Sequence, residues 1–151
     1  DETPELHANN VRLSAIGRLE ALPDKVRAAL DNALADTAGN TGLRLNLALN
    51  YGGRAEIVDA CRTLAQQVRD GELDPESIDE TAIDKALYTT GLADPDLLIR
   101  CSGEMRLSNF LPWQMVYTEI HFTPIFWPDF RRQHLYGAIR DFHQRQRRFG
   151  A

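Results

Sequence analysis

Four leucines at alternate positions, Leu43, Leu45, Leu47 and Leu49, limit most strongly what this chain can fold into. Arg44, Asn46, Ala48 and Asn50 fill the places between them, the period-two pattern of a β-strand. The strand ends in Asn50-Tyr51-Gly52-Gly53-Arg54, and a helical spacing begins at once. Ile57, Cys61, Leu64, Ala65 and Val68 share one side until Gly71 closes the helix. Strand, tight turn and helix in direct succession predict a βαβ arrangement, in which parallel strands are joined by helical crossovers.

The same order recurs along the chain. Asn10 to Ile16 alternates Val11, Leu13 and Ala15 with Arg12 and Ser14, and Gly17 interrupts it. Pro23 opens a helix with Val26, Ala29, Leu30, Ala33 and Leu34 on one face, and Gly39-Asn40-Thr41-Gly42 ends it. Asp74-Pro75-Glu76-Ser77 and Asp79-Glu80 lead into a shorter helix around Ile83 and Leu87. Asp94-Pro95 then precedes an apolar strand, Leu97-Leu98-Ile99, ending on Arg100. A further strand holds Tyr117, Glu119 and His121 on one face. After a bend at Trp127-Pro128-Asp129, a last helix aligns Phe130, His134, Leu135, Ala138, Ile139 and Phe142. No repeat, low-complexity tract or long linker divides residues 1–151, so a single α/β domain is expected. Its architecture is a central, mainly parallel β-sheet flanked by helices.

Composition narrows the function classes. A net charge of -5 is unlike a surface built for nucleic acid. No apolar run reaches the roughly 18 residues of a membrane span, and no signal peptide is visible. Cys61 and Cys101 lack CxxC spacing and fit a reduced compartment, with a single disulfide between them left open. Together these features predict a cytoplasmic protein. His7, His121, His134 and His143 show no metal-binding spacing and read as structural or surface residues.

Ligands of parallel α/β sheets bind beyond the carboxyl ends of strands. Two segments of this chain fall there. Gly52-Gly53-Arg54 is neither a Walker loop nor a dinucleotide fingerprint, and a tight turn explains it as well as an anion does. Arg100 and Arg106 are more informative. Each guanidinium is a rigid fork of donors suited to phosphate oxygens, and they flank a glycine-containing loop that leads to Ser108 at an expected helix start. Pairing with a structural carboxylate, Glu104 or Asp96, is the competing explanation. Two forks on one loop favour an anion site. Glu119 lies nearby in sequence and has the hard oxygen ligands that Mg²⁺ takes, although taken alone it reads better as a solvent-facing residue on an edge strand. Arg145, Arg147 and Arg148 complement the last helix's dipole or reach an anion.

Several ordered motifs add a family. They are Asn46-Leu47-Ala48-Leu49-Asn50-Tyr51-Gly52-Gly53-Arg54, then Asp96 through Phe110, Trp113-Gln114, Glu119, Trp127-Pro128-Asp129-Phe130 and Arg148-Phe149-Gly150. In this order and spacing the chain resembles the cis-prenyltransferases, of which undecaprenyl diphosphate synthase is the typical bacterial member. The resemblance implies a parallel sheet with an apolar tunnel, a homodimer and Mg²⁺. It also implies sequential condensation of isopentenyl diphosphate onto an allylic diphosphate such as farnesyl diphosphate, with cis double bonds. Membrane contact would come only through the lipid product. On this basis Arg100, Arg106 and Ser108 would hold isopentenyl diphosphate and Glu119 would contribute to the Mg²⁺ site. Arg148 and Gly150 would match the C-terminal motif that reaches across the dimer.

Two family segments are not found in these residues: a His-x-x-x-Met-Asp-Gly-Asn-x-Arg-Trp-like stretch, whose aspartate binds Mg²⁺, and a later Phe-Ser-x-Glu-Asn-Trp. The chain is therefore expected to be the C-terminal three-fifths of such an enzyme, without its N-terminal strand and helices. No catalytic residue is assigned within it, and turnover by this chain alone is not expected. Pro112 is a smaller departure, expected to cost one early helical hydrogen bond. The alternative function is a non-catalytic partner subunit of a heteromeric cis-prenyltransferase. Such partners degrade the Arg-x-x-Gly-Glu-x-Arg-x-Ser region, whereas Arg100, Gly103, Glu104, Arg106 and Ser108 are intact here. An RNA-binding module using the basic C-terminal helix is disfavoured by the acidic charge and the absence of a stacking motif.

Overall fold

The structure is a computed structural model that describes residues 2–145. The chain divides into two compact units, Asp1–Gly91 and Leu92–Ala151.

In the first unit the two alternating segments become β1 (Arg12–Ile16) and β2 (Arg44–Ala48), paired in parallel with Leu13 opposite Leu45 and Ile16 opposite Ala48. A helix joins them, as parallel pairing requires: α2 (Asp24–Thr37), which packs on β1. It is preceded by α1 (Thr3–Ala8), a short helix with proline in its first turn that the periodicity did not reveal. Buried polar groups fix α2 to the strand. The Thr37 hydroxyl accepts the Leu13 N–H at 3.1 Å and donates to the Ala33 carbonyl at 2.9 Å, while Asn40 Nδ2 donates to the Val11 carbonyl at 2.8 Å. Leu13, Ile16 and Leu30 form the apolar part of this core. Val26, expected on the buried face of α2, is exposed.

Next come α3 (Gly53–Arg69) and α4 (Glu80–Ala86), packed against each other. Asp79 caps α4, its carboxylate accepting the Ala82 N–H at 2.8 Å. The buried stripe of α3 differs from the expected one. Gly53, Glu56, Ala60 and Leu64 are inside, whereas Cys61 and Ala65 are exposed. The helix is rotated so that a carboxylate occupies a core position. The physical reason is that its hydrogen-bond partners, Tyr51 and Tyr88, lie half-buried beside it.

In the second unit β3 (Leu97–Arg100) pairs in parallel with β4 (Glu119–Phe122), with Leu97 opposite Glu119 and Arg100 opposite Phe122. The helix α5 (Arg132–Gln144) packs on β4 through Ala138, the residue it buries fully, while Leu135 and Ile139 on its apolar face stay exposed. Parallel pairing in both units, with helical packing, gives the expected α/β class. Cys61 and Cys101 are free thiols, which closes the disulfide left open by the sequence. No described helix is long and apolar enough to cross a membrane.

Candidate functional site

The end of β3 builds the site. Past Arg100 the two strands stay linked: the Thr123 N–H donates to the Arg100 carbonyl, Ser102 N–H to Ile125, and Gly103 N–H to Thr123, each at 2.9 Å. Ser102 and Gly103 both have left-handed backbone, with φ of 68° and 69°. Two such residues in succession turn the chain back sharply. The turn returns Glu104 to Arg100.

The consequence is a bridged pair of guanidiniums. Glu104 Oε2 accepts from Arg100 Nη2 and Oε1 accepts from Arg106 Nη2, the latter at 2.7 Å. Arg100 Nη2 also donates to the Ser108 hydroxyl at 3.2 Å. Thus Arg100, Arg106 and Ser108 are brought together through a carboxylate that the sequence offered only as a competing partner. Among the described residues Arg100 Nε is buried without a hydrogen-bond partner, an uncompensated donor in a place where such groups are costly. Arg100 also lines a cleft of about 320 Å³, together with Ile99, Cys101, Leu107, Phe110 and Trp127. A charged floor beside apolar walls suits an anion carrying a hydrocarbon tail.

Ser108 does not begin a helix. Ser108, Asn109 and Leu111 have φ of 51°, 64° and 45°, and the segment runs as consecutive turns. Pro112 explains this: its ring disfavours right-handed helical backbone at Leu111. A helical hydrogen bond from Met115 N–H to the Leu111 carbonyl, 3.1 Å, does not extend into a helix.

Glu119 opens β4, and its Oε2 accepts from Arg145 Nη1 at 2.9 Å; the same nitrogen donates to the Ile120 carbonyl at 2.9 Å. The end of α5 is thereby fastened to β4. On the same strand face His121 pairs with Asp141 at 3.0 Å. Among the described residues no group of three or more His, Cys, Asp or Glu could hold a metal ion. Glu119 fits the requirement for one carboxylate ligand of Mg²⁺, an ion that keeps waters and takes its remaining oxygens from phosphates. Arg148 and Gly150, assigned by resemblance, lie outside the described residues.

A second polar cluster, in the first unit, went unnoticed in the sequence. At the carboxyl ends of β1 and β2, Arg18 donates bidentately to Asp59 at 2.8 and 3.0 Å, and Asp59 also accepts from Arg62 at 3.0 Å and from the Tyr88 hydroxyl. These hydrogen bonds, that from Arg18 first, hold the Asp59 carboxyl well below the usual range. Burial, together with hydrogen bonding to Asp59, pushes the Tyr88 hydroxyl up. One turn earlier on α3, fully buried Glu56 accepts from Tyr51 at 2.5 Å and from the Tyr88 backbone at 2.9 Å. The available signal was two carboxylates three residues apart, Glu56 and Asp59, just after a tyrosine-containing turn. Read locally, they look like ordinary early-helix charges.

Parallel strands, a helical crossover between β1 and β2 and an arginine pair at a strand's carboxyl end define an α/β protein with a site suited to an anion. The chain belongs to the prenyltransferase family described as "Putative undecaprenyl diphosphate synthase", whose profile matches residues 1–150. Curated relatives include an isoprenyl transferase of Geobacillus kaustophilus, 56% identical over 97% of this chain and 57% of its own length. Another, from Streptococcus thermophilus, is 55% identical over 97% of this chain and 61% of its own. The chain thus spans about three-fifths of the curated relatives it matches. Among solved structures, lavandulyl diphosphate synthase from Lavandula x intermedia, crystallised with dimethylallyl diphosphate, superposes with a TM-score of 0.97 at 39% identity. That match covers 100% of this chain and 66% of the lavender one. A probable undecaprenyl diphosphate synthase from Campylobacter jejuni gives 0.83 at 36% identity, covering 99% and 67%.

Proposed function

We propose that the protein carrying this chain is a cis-prenyltransferase that adds isopentenyl diphosphate to an allylic diphosphate primer, producing a Z-polyprenyl diphosphate of the undecaprenyl type. The observation that carries this reading is the convergence of Arg100, Arg106 and Ser108 at the carboxyl end of β3. Membership of the prenyltransferase family supports it. So does the dimethylallyl diphosphate, an allylic diphosphate, bound to the lavender relative.

In this reading the two guanidiniums take the diphosphate of isopentenyl diphosphate, and the Ser108 hydroxyl adds a donor or acceptor beside them. The isopentenyl tail lies along the apolar wall of the cleft, so its double bond faces the primer. A carbon–carbon bond then forms to C1 of the primer as the primer's carbon–oxygen bond breaks and its diphosphate departs. The new unit loses a proton from C2 to the departed diphosphate, which leaves a new double bond. Fixing the diphosphate at one end of a short substrate, with its tail held by the apolar wall, supplies much of the acceleration, because it aligns the reacting carbons. The apolar wall keeps water from the carbocation-like centre. Glu119 is the carboxylate this chain would offer to Mg²⁺, which when bound stabilises charge on diphosphate oxygens. Arg148 and Gly150 act across a homodimer at the isopentenyl diphosphate site, and the enzyme works in the cytoplasm as one catalytic domain that includes this chain.

The test is Mg²⁺-dependent incorporation of labelled isopentenyl diphosphate into solvent-extractable lipid, with farnesyl diphosphate as primer. This chain is run beside the full-length protein that contains it. Activity in the full-length protein and none in the 151-residue chain is expected. A full-length protein that stays inactive with both substrates and Mg²⁺ would sink the assignment and favour a partner subunit.

A further inference from the structure

Glu104 stands where an anion site should not want it. A carboxylate between two phosphate-binding arginines lowers their net charge from +2 to +1, and simple electrostatics says that it weakens the site. We propose that Glu104 is instead a positioning residue, a fixed spacer that sets the separation and orientation of Arg100 and Arg106 for a diphosphate. The inference rests on the anion-site reading proposed above.

The manner of contact is the first support. Glu104 receives one nitrogen from each arginine, Nη2 in both cases, on separate oxygens. Each guanidinium carries five N–H donors; Arg106 gives one of them to Glu104, and Arg100, whose Nη2 serves Glu104 and Ser108 and whose Nε is buried, keeps those of Nη1. Glu104 therefore need not leave for an oxyanion to enter.

Unequal anchoring of the two arginines is the second support. Arg100 has 30% of its side chain exposed and a second bond, to Ser108, whereas Arg106 is 68% exposed. Among the described residues the sole ion pair of Arg106 is with Glu104. Without it, a long and flexible side chain would be repelled by Arg100 and would have to be ordered by the ligand itself. The third support is that Glu104 is itself well placed. The left-handed Ser102-Gly103 turn that carries it is fastened to the β4 side by two backbone hydrogen bonds of 2.9 Å.

The two accounts predict opposite signs for Glu104→Gln. Removing the negative charge should tighten anion binding if charge alone matters. It should weaken binding if the spacer matters, because an amide offers an acceptor to only one of the two arginines. Inorganic pyrophosphate binding to the full-length protein is measured by titration calorimetry for the wild type, E104Q, E104D and R106A, with the melting temperature of each. E104Q is expected to bind about tenfold more weakly, the effect of one additional rotamer-rich side chain to immobilise. Its KM for isopentenyl diphosphate should rise in parallel while kcat changes much less. E104D keeps the charge but shortens the reach, and should lie between the two. E104Q at or above wild-type affinity overturns the inference, as does E104D at wild-type affinity should E104Q fail to fold. Wild type and R106A binding pyrophosphate alike is a separate failure: it removes the anion site itself, and the spacer with it.

Discussion

Fully buried Glu56 accepts the backbone N–H of Tyr88 at 2.9 Å, from 32 residues earlier in the chain. Its other oxygen takes the Tyr51 hydroxyl at 2.5 Å. One carboxylate thus ties the turn after β2 to the segment after α4. Glu56→Ala strands two donors and opens a cavity, so a loss of about 3–5 kcal/mol is expected. Tyr51→Phe removes one partner and should cost about 1–3 kcal/mol. Urea denaturation midpoints at constant slope check both, and a midpoint unchanged in Glu56→Ala would refute the latch.

Asp59 and Tyr88 set opposite limits on the stable pH range. The Asp59 carboxyl is depressed by Arg18, Tyr88 and Arg62, so its contribution is full above the unfolded value, near pH 4. It is lost as pH falls toward the folded value. Tyr88 is raised, so its contribution is full below the unfolded value, near pH 10, and is lost as pH climbs past it. Thermal melts across pH should show a plateau between these limits. Asp59→Asn should lower that plateau and shallow the acid limb; an acid limb as steep as in the wild type would exclude Asp59 as its source.

Arg100 and Arg106 should not be equivalent. Arg100 is partly buried, bonded to Ser108 and part of the cleft lining, whereas Arg106 is exposed. In the full-length enzyme Arg100→Ala should raise KM for isopentenyl diphosphate by about 30- to 100-fold, the loss of charge-assisted hydrogen bonds in a partly desolvated place. Arg106→Ala should cost about tenfold, and Ser108→Ala only a few-fold. Steady-state kinetics with the primer saturating measures the order, and a larger effect at Arg106 would contradict it.

Arg145 holds the carboxylate assigned to Mg²⁺. Arg145→Ala removes a positive charge beside Glu119 and should lower the Mg²⁺ concentration for half-maximal activity about threefold, the scale of a partly exposed ion pair. Glu119→Gln should shift it the other way. If neither variant alters the Mg²⁺ titration, Glu119 is not a metal ligand.

Local chemistry made much of this legible. The alternation of Leu43 through Leu49 and of Val11 through Ala15 placed β1 and β2, because a period-two pattern is carried by neighbouring residues, although Leu43 and Leu45 stay exposed. Arg100 and Arg106 stood out because rigid donor forks at a strand end have few other uses. The expected helix at Ser108 failed where a local rule was overlooked, the constraint of Pro112 on Leu111.

The sequence by itself determined the order of the strands and of the longer helices, the parallel class, the family and the two arginines, all properties carried by neighbouring residues or by spacing. Only the tertiary structure decided that Glu56 is buried and Cys61 exposed, that Asp59 gathers Arg18, Arg62 and Tyr88, and that Glu104 spans two guanidiniums. A carboxylate reads as a solvent-facing charge until its partners are known. Those partners lie as far as 41 residues away in the chain and meet it only when the elements pack.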